Sequence, residues 1–195
     1  PVVWGALEGP VAVAEAQTGA GQAITTRKEA MKGQGAAMRT LTPIVRGDKA
    51  FVSSDYQTGA ALLQFSPRGN NGVSVKEVYF TNEMRNHYSS SVLIGDYLYG
   101  YSSHILTAMR LDTGEVAWRH RSVGKGSVIF ADDRLYLFGE QGVVGLGEAS
   151  PQGYVEHGRF EIRTGSLPTW SHPVVSNGKL FLRDQDTVYA YDVRQ

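Results

Sequence analysis

The 195-residue chain carries 19 basic and 19 acidic side chains, a formal net charge of zero, 42% hydrophobic residues and no cysteine. This is globular composition. It excludes disulfides, thiolate metal sites and cysteine nucleophiles, and the missing basic surplus argues against a nucleic-acid or anionic-membrane binder.

Residues 2–19, VVWGALEGPVAVAEAQTG, align with KLFLRDQDTVYAYDVRQ at 179–195, with Trp4 over Phe181 and Glu15 over Asp192. The chain begins at Pro1 with no visible signal peptide, which reads as a processed or truncated start. Residues 20–38 are the one stretch with helical composition, but their glycines favour a linker with a poor strand. No run of about 18 apolar residues occurs anywhere, so no transmembrane segment is expected.

Four segments then repeat: PIVRGDKAFVSS (43–54), SVLIGDYLYGYS (91–102), VIFADDRLYLFG (128–139) and PVVSNGKLFLRD (173–184). Each reads as a short apolar strand, a two-residue polar turn and a second strand. The turns are Gly47-Asp48, Gly95-Asp96, Asp132-Asp133 and Asn177-Gly178. The second strand carries an aromatic column, Phe51, Tyr99, Tyr136 and Phe181, advancing by 48, 37 and 45 residues. Ala50, Leu98, Leu135 and Leu180 precede it. A further column holds Thr18-Gly19, Ser66-Pro67, Thr113-Gly114 and Ser150-Pro151, with Gln195 at the last equivalent place.

A period of about 40–48 residues with four strands per repeat predicts an all-β fold, a β-propeller of four-stranded antiparallel blades. A β-sandwich is the competing fold, but sandwiches do not show such columns. The predicted divisions are 1–39 (partial), 40–87, 88–124, 125–169 and 170–195 (partial). Three full and two partial repeats suggest the C-terminal portion of a seven- or eight-bladed ring.

The segment LTAMRLDTGEVAW, Leu106 to Trp118, resembles the blade motif of PQQ-like (quinoprotein alcohol dehydrogenase-like) propellers, Ala-x-Asp-x-x-Thr-Gly-x-x-x-Trp. It matches at Ala108, Thr113, Gly114 and Trp118 and departs at Arg110. Residues 11–19 and 189–195 match loosely, and the Ser-Pro copies are degenerate. Several stretches look especially like bacterial periplasmic or secreted members. The resemblance implies a docking role for the motif: Thr113-Gly114 shapes a bend and Trp118 packs between blades. It also implies a periplasmic or secreted location. One relative in that family, the propeller lipoprotein of the outer-membrane barrel-assembly machinery, is a non-catalytic scaffold. Other members are oxidoreductases holding pyrroloquinoline quinone over calcium.

In a propeller the first strand of each blade is innermost, so residues just before it ring the central mouth. Polar and aromatic groups converging there form the default ligand site. The candidates are Arg39, Asn86, His87, Tyr88, Lys125, Trp170 and His172. Other motif-like stretches are weaker. DQD at 184–186 is too short for a calcium loop. GVVGLG at 142–147 lacks the strand–turn–helix frame of a dinucleotide site. None of the five histidines forms a close metal-ligand pair. The sequence therefore points to a binding or scaffold module for a protein or polysaccharide partner. No cofactor and no nucleic acid are expected, and a quinone- and calcium-dependent oxidoreductase is the alternative. A hydrolase or lyase with a polar funnel is a third, weaker reading.

Overall fold

The computed structural model describes residues 43–69 and 72–194, and every regular element in them is a β-strand. Four antiparallel sheets follow one another along the chain, each with its strands paired in sequence order. The first contains β1 (Ile44–Arg46), β2 (Lys49–Ser54), β3 (Gly59–Arg68) and β4 (Gly72–Thr81). The second contains β5 (Val92–Ile94), β6 (Tyr97–Ser102), β7 (Ile105–Arg110) and β8 (Val116–His120). The third contains β9 (Gly126–Ala131), β10 (Arg134–Gly139), β11 (Val143–Ser150) and β12 (Gly153–Glu161). The fourth has three strands, β13 (Val174–Ser176), β14 (Lys179–Asp184) and β15 (Thr187–Asp192). This is the propeller-blade architecture that the repeat predicted. The expectations for residues 1–42, Arg39 among them, lie outside the described residues.

The hairpins close where the turn chemistry predicts. Arg46 pairs with Lys49, Ile94 with Tyr97, Ala131 with Arg134 and Ser176 with Lys179, so two residues make each connection. Asn177 and Gly178 have φ of 50° and 69°, and Asp132 and Asp133 have 49° and 58°. Two successive positive φ values match the twist of the flanking strands. Asp pays a modest strain for this conformation, whereas Gly178 adopts it freely.

Alternation along the second strands explains the two columns, because successive strand residues face opposite sides of a sheet. Phe51 of β2 joins Leu98 of β6, with Ala60, Leu62, Met84, Met109 and Leu111, in a buried cluster between the first and second sheets. Tyr99 and Tyr101, the other face of β6, join Leu135 and Leu137 of β10 between the second and third. Tyr136 and Phe138 then join Leu180 and Leu182 of β14 between the third and fourth. The aromatic column thus faces the following blade and the aliphatic column the preceding one. Each blade interface is a dry core shared by two sheets. At the ends of the row, Val45 on the first sheet is 66% exposed, and Val174 and Val188 on the fourth are 52% and 63% exposed.

Ion pairs stitch the same interfaces at the rim. Arg46 contacts Asp96 at 2.7 Å and Lys49 contacts Asp112 at 2.6 Å, both from the first sheet to the second. Lys49 holds the Asp112 carboxyl below its ordinary range. These pairs are partly exposed, so they contribute little individually.

One copy of the second column departs from its expected place. Ser66 and Pro67 lie inside β3, opposite Ser74 and Val73, and not in a turn. The β3–β4 hairpin runs past the end of β2, whose last partner on that side is Lys49 with Gln64. Beyond that point the ribbon is two-stranded with an open side, where a proline is tolerated. Thr113-Gly114 and Ser150-Pro151, by contrast, both fall where the third strand turns into the fourth.

Removing one member of an interblade core tests this picture. Leu135→Ala, at a position with no exposure, is expected to lower unfolding free energy by about 2–5 kcal/mol, the usual cost of such a cavity. Val45→Ala is expected to change it by less than about 0.5 kcal/mol. Chemical denaturation of the two variants compares them; equal losses would contradict the assignment of the buried faces. A second expectation concerns pH. Burial pushes the Tyr79, Tyr101 and Tyr154 phenols up from their ordinary value. A raised folded-state value leaves the associated stability intact below the unfolded value, about pH 10, and removes it as pH rises further. The denaturation midpoint should therefore fall above about pH 10, less steeply in Tyr101→Phe.

Candidate functional site

The blade motif is built around a bulge. In the second sheet the ladder shifts between Ala108 and Met109, opposite Trp118 and Val116, so Ala117 is extra. A bulge raises the local twist and re-aims the side chain beside it. Trp118 thereby lies half-buried against the core between the second and third sheets, and its Nε1 donates to the Ser150 carbonyl at 2.7 Å. Its ring lies 5.9 Å from Tyr99 and 6.4 Å from Tyr154. The turn that precedes it is closed by main chain: Gly114 N donates to Arg110 O at 2.9 Å, and Arg110 N donates to Glu115 O at 2.8 Å. Thr113 Oγ1 accepts from Glu115 N at 3.3 Å. Gly114 has φ of 74°, and a Cβ there would meet the Tyr79 ring at 2.9 Å. Arg110, the departure from the motif, leaves its side chain exposed near Asp112 and helps to hold that carboxyl ionised.

Sequence reading missed the counterpart of Trp118. The first sheet has the same bulge, with Leu62 opposite Tyr79, and the Tyr79 hydroxyl donates to the Leu111 carbonyl of the next blade at 2.7 Å. The third sheet repeats the bulge with Leu146 opposite Gly158, where no side chain is available to dock. Register about the bulge identifies the position; spacing from Thr-Gly does not, because the first sheet's hairpin is longer.

At one end of the blades, the connectors before the first strands and the turns between second and third strands come together. His87 and Tyr88 sit between β4 and β5, Lys125 before β9, and Trp170 and His172 before β13. Tyr56 reaches them from the β2–β3 turn and Glu140 from the β10–β11 turn. Tyr56 and His87 share a hydrogen bond of 2.6 Å between hydroxyl and Nε2. His87 packs edge-on against Tyr88 and Trp170, with both centroid separations 5.6 Å. Tyr88 and Trp170 stack at 5.5 Å with 17° between planes. His172 Nε2 donates to the Tyr88 carbonyl at 3.1 Å, joining connectors that lie 84 residues apart. Lys125 Nζ stands 5.7 Å from the Tyr88 ring centroid and 4.0 Å from Glu140, which also accepts from Trp170 Nε1 at 3.2 Å. All four sheets therefore contribute to one aromatic floor.

Of the sequence candidates, His87, Tyr88, Lys125, Trp170 and His172 meet in this floor. Asn86 lies beside it, but its side chain is committed. Nδ2 donates to Tyr101 O at 3.1 Å, and Oδ1 accepts from Ser91 Oγ at 3.1 Å. Tyr56 and Glu140 escape the rule of innermost first strands because they sit in second-to-third-strand turns, which open at the same end. The Tyr88 hydroxyl is buried without a hydrogen-bond partner among the described residues. Burial, and then the Glu140 charge, push its proton affinity up, so it stays neutral. The indole of Trp170 remains 49% exposed. Beside it the connector carries Leu167 and Pro168, and with Arg183 and Gln185 these residues line an open groove of about 510 Å³. Thr169 pins the connector on both sides, its N donating to Glu140 O at 3.0 Å and its Oγ1 to Arg183 O at 2.9 Å.

No three His, Cys, Asp or Glu side chains gather among the described residues as a metal-ligand set. The floor presents stacked rings, one cation and one carboxylate. Its histidines bond Tyr56 and a backbone carbonyl, so the arrangement suits stacking and contact recognition.

The fold is all-β, with four-stranded antiparallel sheets as propeller blades. No protein-family model matches the sequence, and no curated protein matches it as a relative. Among solved structures the chain is similar to BamB from Moraxella catarrhalis, with 16% identity and a TM-score of 0.53. The match covers 80% of this chain and 45% of that one, so the chain spans less than half of its length. That likeness is one of fold.

The docking motif yields a paired test. Trp118→Phe keeps the ring contacts and loses the Ser150 bond, an expected cost of about 1 kcal/mol. Gly114→Ala meets both the positive φ and the Tyr79 ring, an expected cost of about 1–3 kcal/mol. Urea unfolding measures both, and a neutral Gly114→Ala would remove the argument from the turn.

Proposed function

We propose that this chain is a non-catalytic β-propeller segment that binds macromolecular partners, proteins above all, and acts as a scaffold in the periplasm or outside the cell. The observation that carries the reading is the aromatic floor with its half-exposed Trp170. Four sheets converge there, and the side chains they bring are already hydrogen-bonded and stacked on one another. Such a surface is pre-organised, so a partner binds without a large ordering cost. Tryptophan and tyrosine with a cation beside them are the residue types that dominate contact energy in interfaces. The likeness in fold to BamB and the resemblance to PQQ-like repeats support the assignment to a propeller and supply the expected location. Among the described residues no helix is long and apolar enough to cross a membrane.

A photo-crosslinking amino acid placed at Trp170, in the full-length protein within its own cells, tests the reading. A discrete protein adduct is expected there and not from the same group placed at Glu77, on the outer strand β4. His87→Ala is expected to leave the β-sheet spectrum unchanged and to reduce the adduct. Conversely, a 1:1 complex with added pyrroloquinoline quinone and calcium that oxidises alcohols in a dye-linked assay would overturn the proposal.

A further inference from the structure

We infer that the groove beside Trp170 receives an extended peptide segment of a protein partner, one that carries an aspartate or glutamate next to an apolar or proline residue. This rests on the reading of the chain as a binding module and specifies the chemistry of what it binds. The groove lining combines apolar side chains with one cation. Leu167 is 63% exposed and Trp170 is 49% exposed, with Pro168 between them, so three large non-polar groups face solvent together. Arg183, in the same lining, commits only its Nε, which donates to Gln185 O at 2.8 Å. Its two terminal nitrogens contact no acid among the described residues.

The nearby carboxylates are bonded or buried: Asp186 accepts from Thr187 Oγ1 at 3.2 Å, and Asp184 Oδ1 is buried without a partner among the described residues. Glu140 is held by Trp170 Nε1 and Lys125. Asp184 follows Arg183 on β14 but is 4% exposed and accepts from Gly165 N at 2.7 Å. The groove lining therefore holds one unneutralised charge, and it is positive. A guanidinium with free terminal nitrogens is shaped for the two oxygens of a carboxylate.

The polar inventory favours a peptide over a glycan. Reading sugar hydroxyls needs uncommitted donors and acceptors beside the aromatic face. Here Thr169 Oγ1 and Ser171 Oγ both donate to the Arg183 carbonyl. What remains is non-polar surface, one cation and a single neutral amide, that of Gln185, fewer polar groups than the ring of hydroxyls on a sugar calls for. A segment with alternating side chains in extended or polyproline form could lay its apolar residue on Trp170 and Leu167 and turn its acid to Arg183. The volume of about 510 Å³ accommodates two or three side chains. Because Thr169 bonds to the third sheet on one side and the fourth on the other, the groove is held open before anything binds.

The test pans the full-length chain against a random dodecapeptide library. Selected sequences are then titrated as fluorescent synthetic peptides, beside a panel of neutral and uronic-acid oligosaccharides. Selected peptides are expected to pair Asp or Glu with Trp, Phe, Leu or Pro within two positions and to bind more weakly at high salt. Arg183→Ala and Trp170→Ala should each weaken binding roughly tenfold, and Leu167→Glu should do the same by repulsion. Circular dichroism checks that these surface variants keep the sheets. Peptides without acidic enrichment, or unaffected by Arg183→Ala, would overturn the groove assignment and leave the binding-module reading standing. Oligosaccharides that bind and are lost with Trp170→Ala, with no peptide selected, would overturn it in favour of a glycan site. If neither probe binds, both readings fall.

Discussion

A four-stranded antiparallel sheet presents two faces, and in this chain each inner sheet buries both. That constraint organises everything else. Alternation along β6 and β10 sends aliphatic side chains toward the preceding blade and aromatic ones toward the following blade. A single blade has no core of its own; the core lies between blades, as in other architectures that bury surface by repetition. The columns visible in the sequence are the record of this requirement. An aromatic at Tyr99 is useful only because Leu135 lies across from it, and Leu180 serves Tyr136 in the same way.

The blade bulge is the second device. It places one outer-strand side chain over the interface and lets a polar atom on that side chain reach a carbonyl in the next blade. Tyr79 and Trp118 do this through different atoms and to different carbonyls, Leu111 and Ser150. The blade motif therefore describes geometry more than chemistry. Nothing in Thr113, Gly114 or Trp118 touches the aromatic floor. Gly158 shows that the bulge survives where the docking side chain is absent, so the bulge belongs to the sheet and the aromatic is added to it.

The floor depends on the same packing. Its residues come from connectors and turns whose positions are set by where the sheets meet. Tyr56 and His87 approach because successive sheets stand side by side, and Tyr88 and His172, on connectors two sheets apart, because the connectors converge at one end. The side chains then fix one another through stacking and short polar contacts. The exposed indole and the Arg183 groove are what this internal satisfaction leaves over.

Much of this was legible in the amino-acid sequence. The hairpin turns, the period and the alternating columns determined an all-β repeat, because strand alternation and turn conformation are local and depend on neighbouring residues. The clustering of His87, Tyr88, Lys125, Trp170 and His172 was also foreseeable, from the single rule that first strands are innermost. Tertiary structure alone decided the rest. The length of the β3–β4 hairpin moved Ser66-Pro67 out of its expected turn and hid Tyr79. Side-chain hydrogen bonds removed Asn86 from the available surface and brought Tyr56 and Glu140 in. The free terminal nitrogens of Arg183 follow from which carboxylates lie near it in space. Such matters depend on contacts between residues far apart along the chain, and no local pattern encodes them.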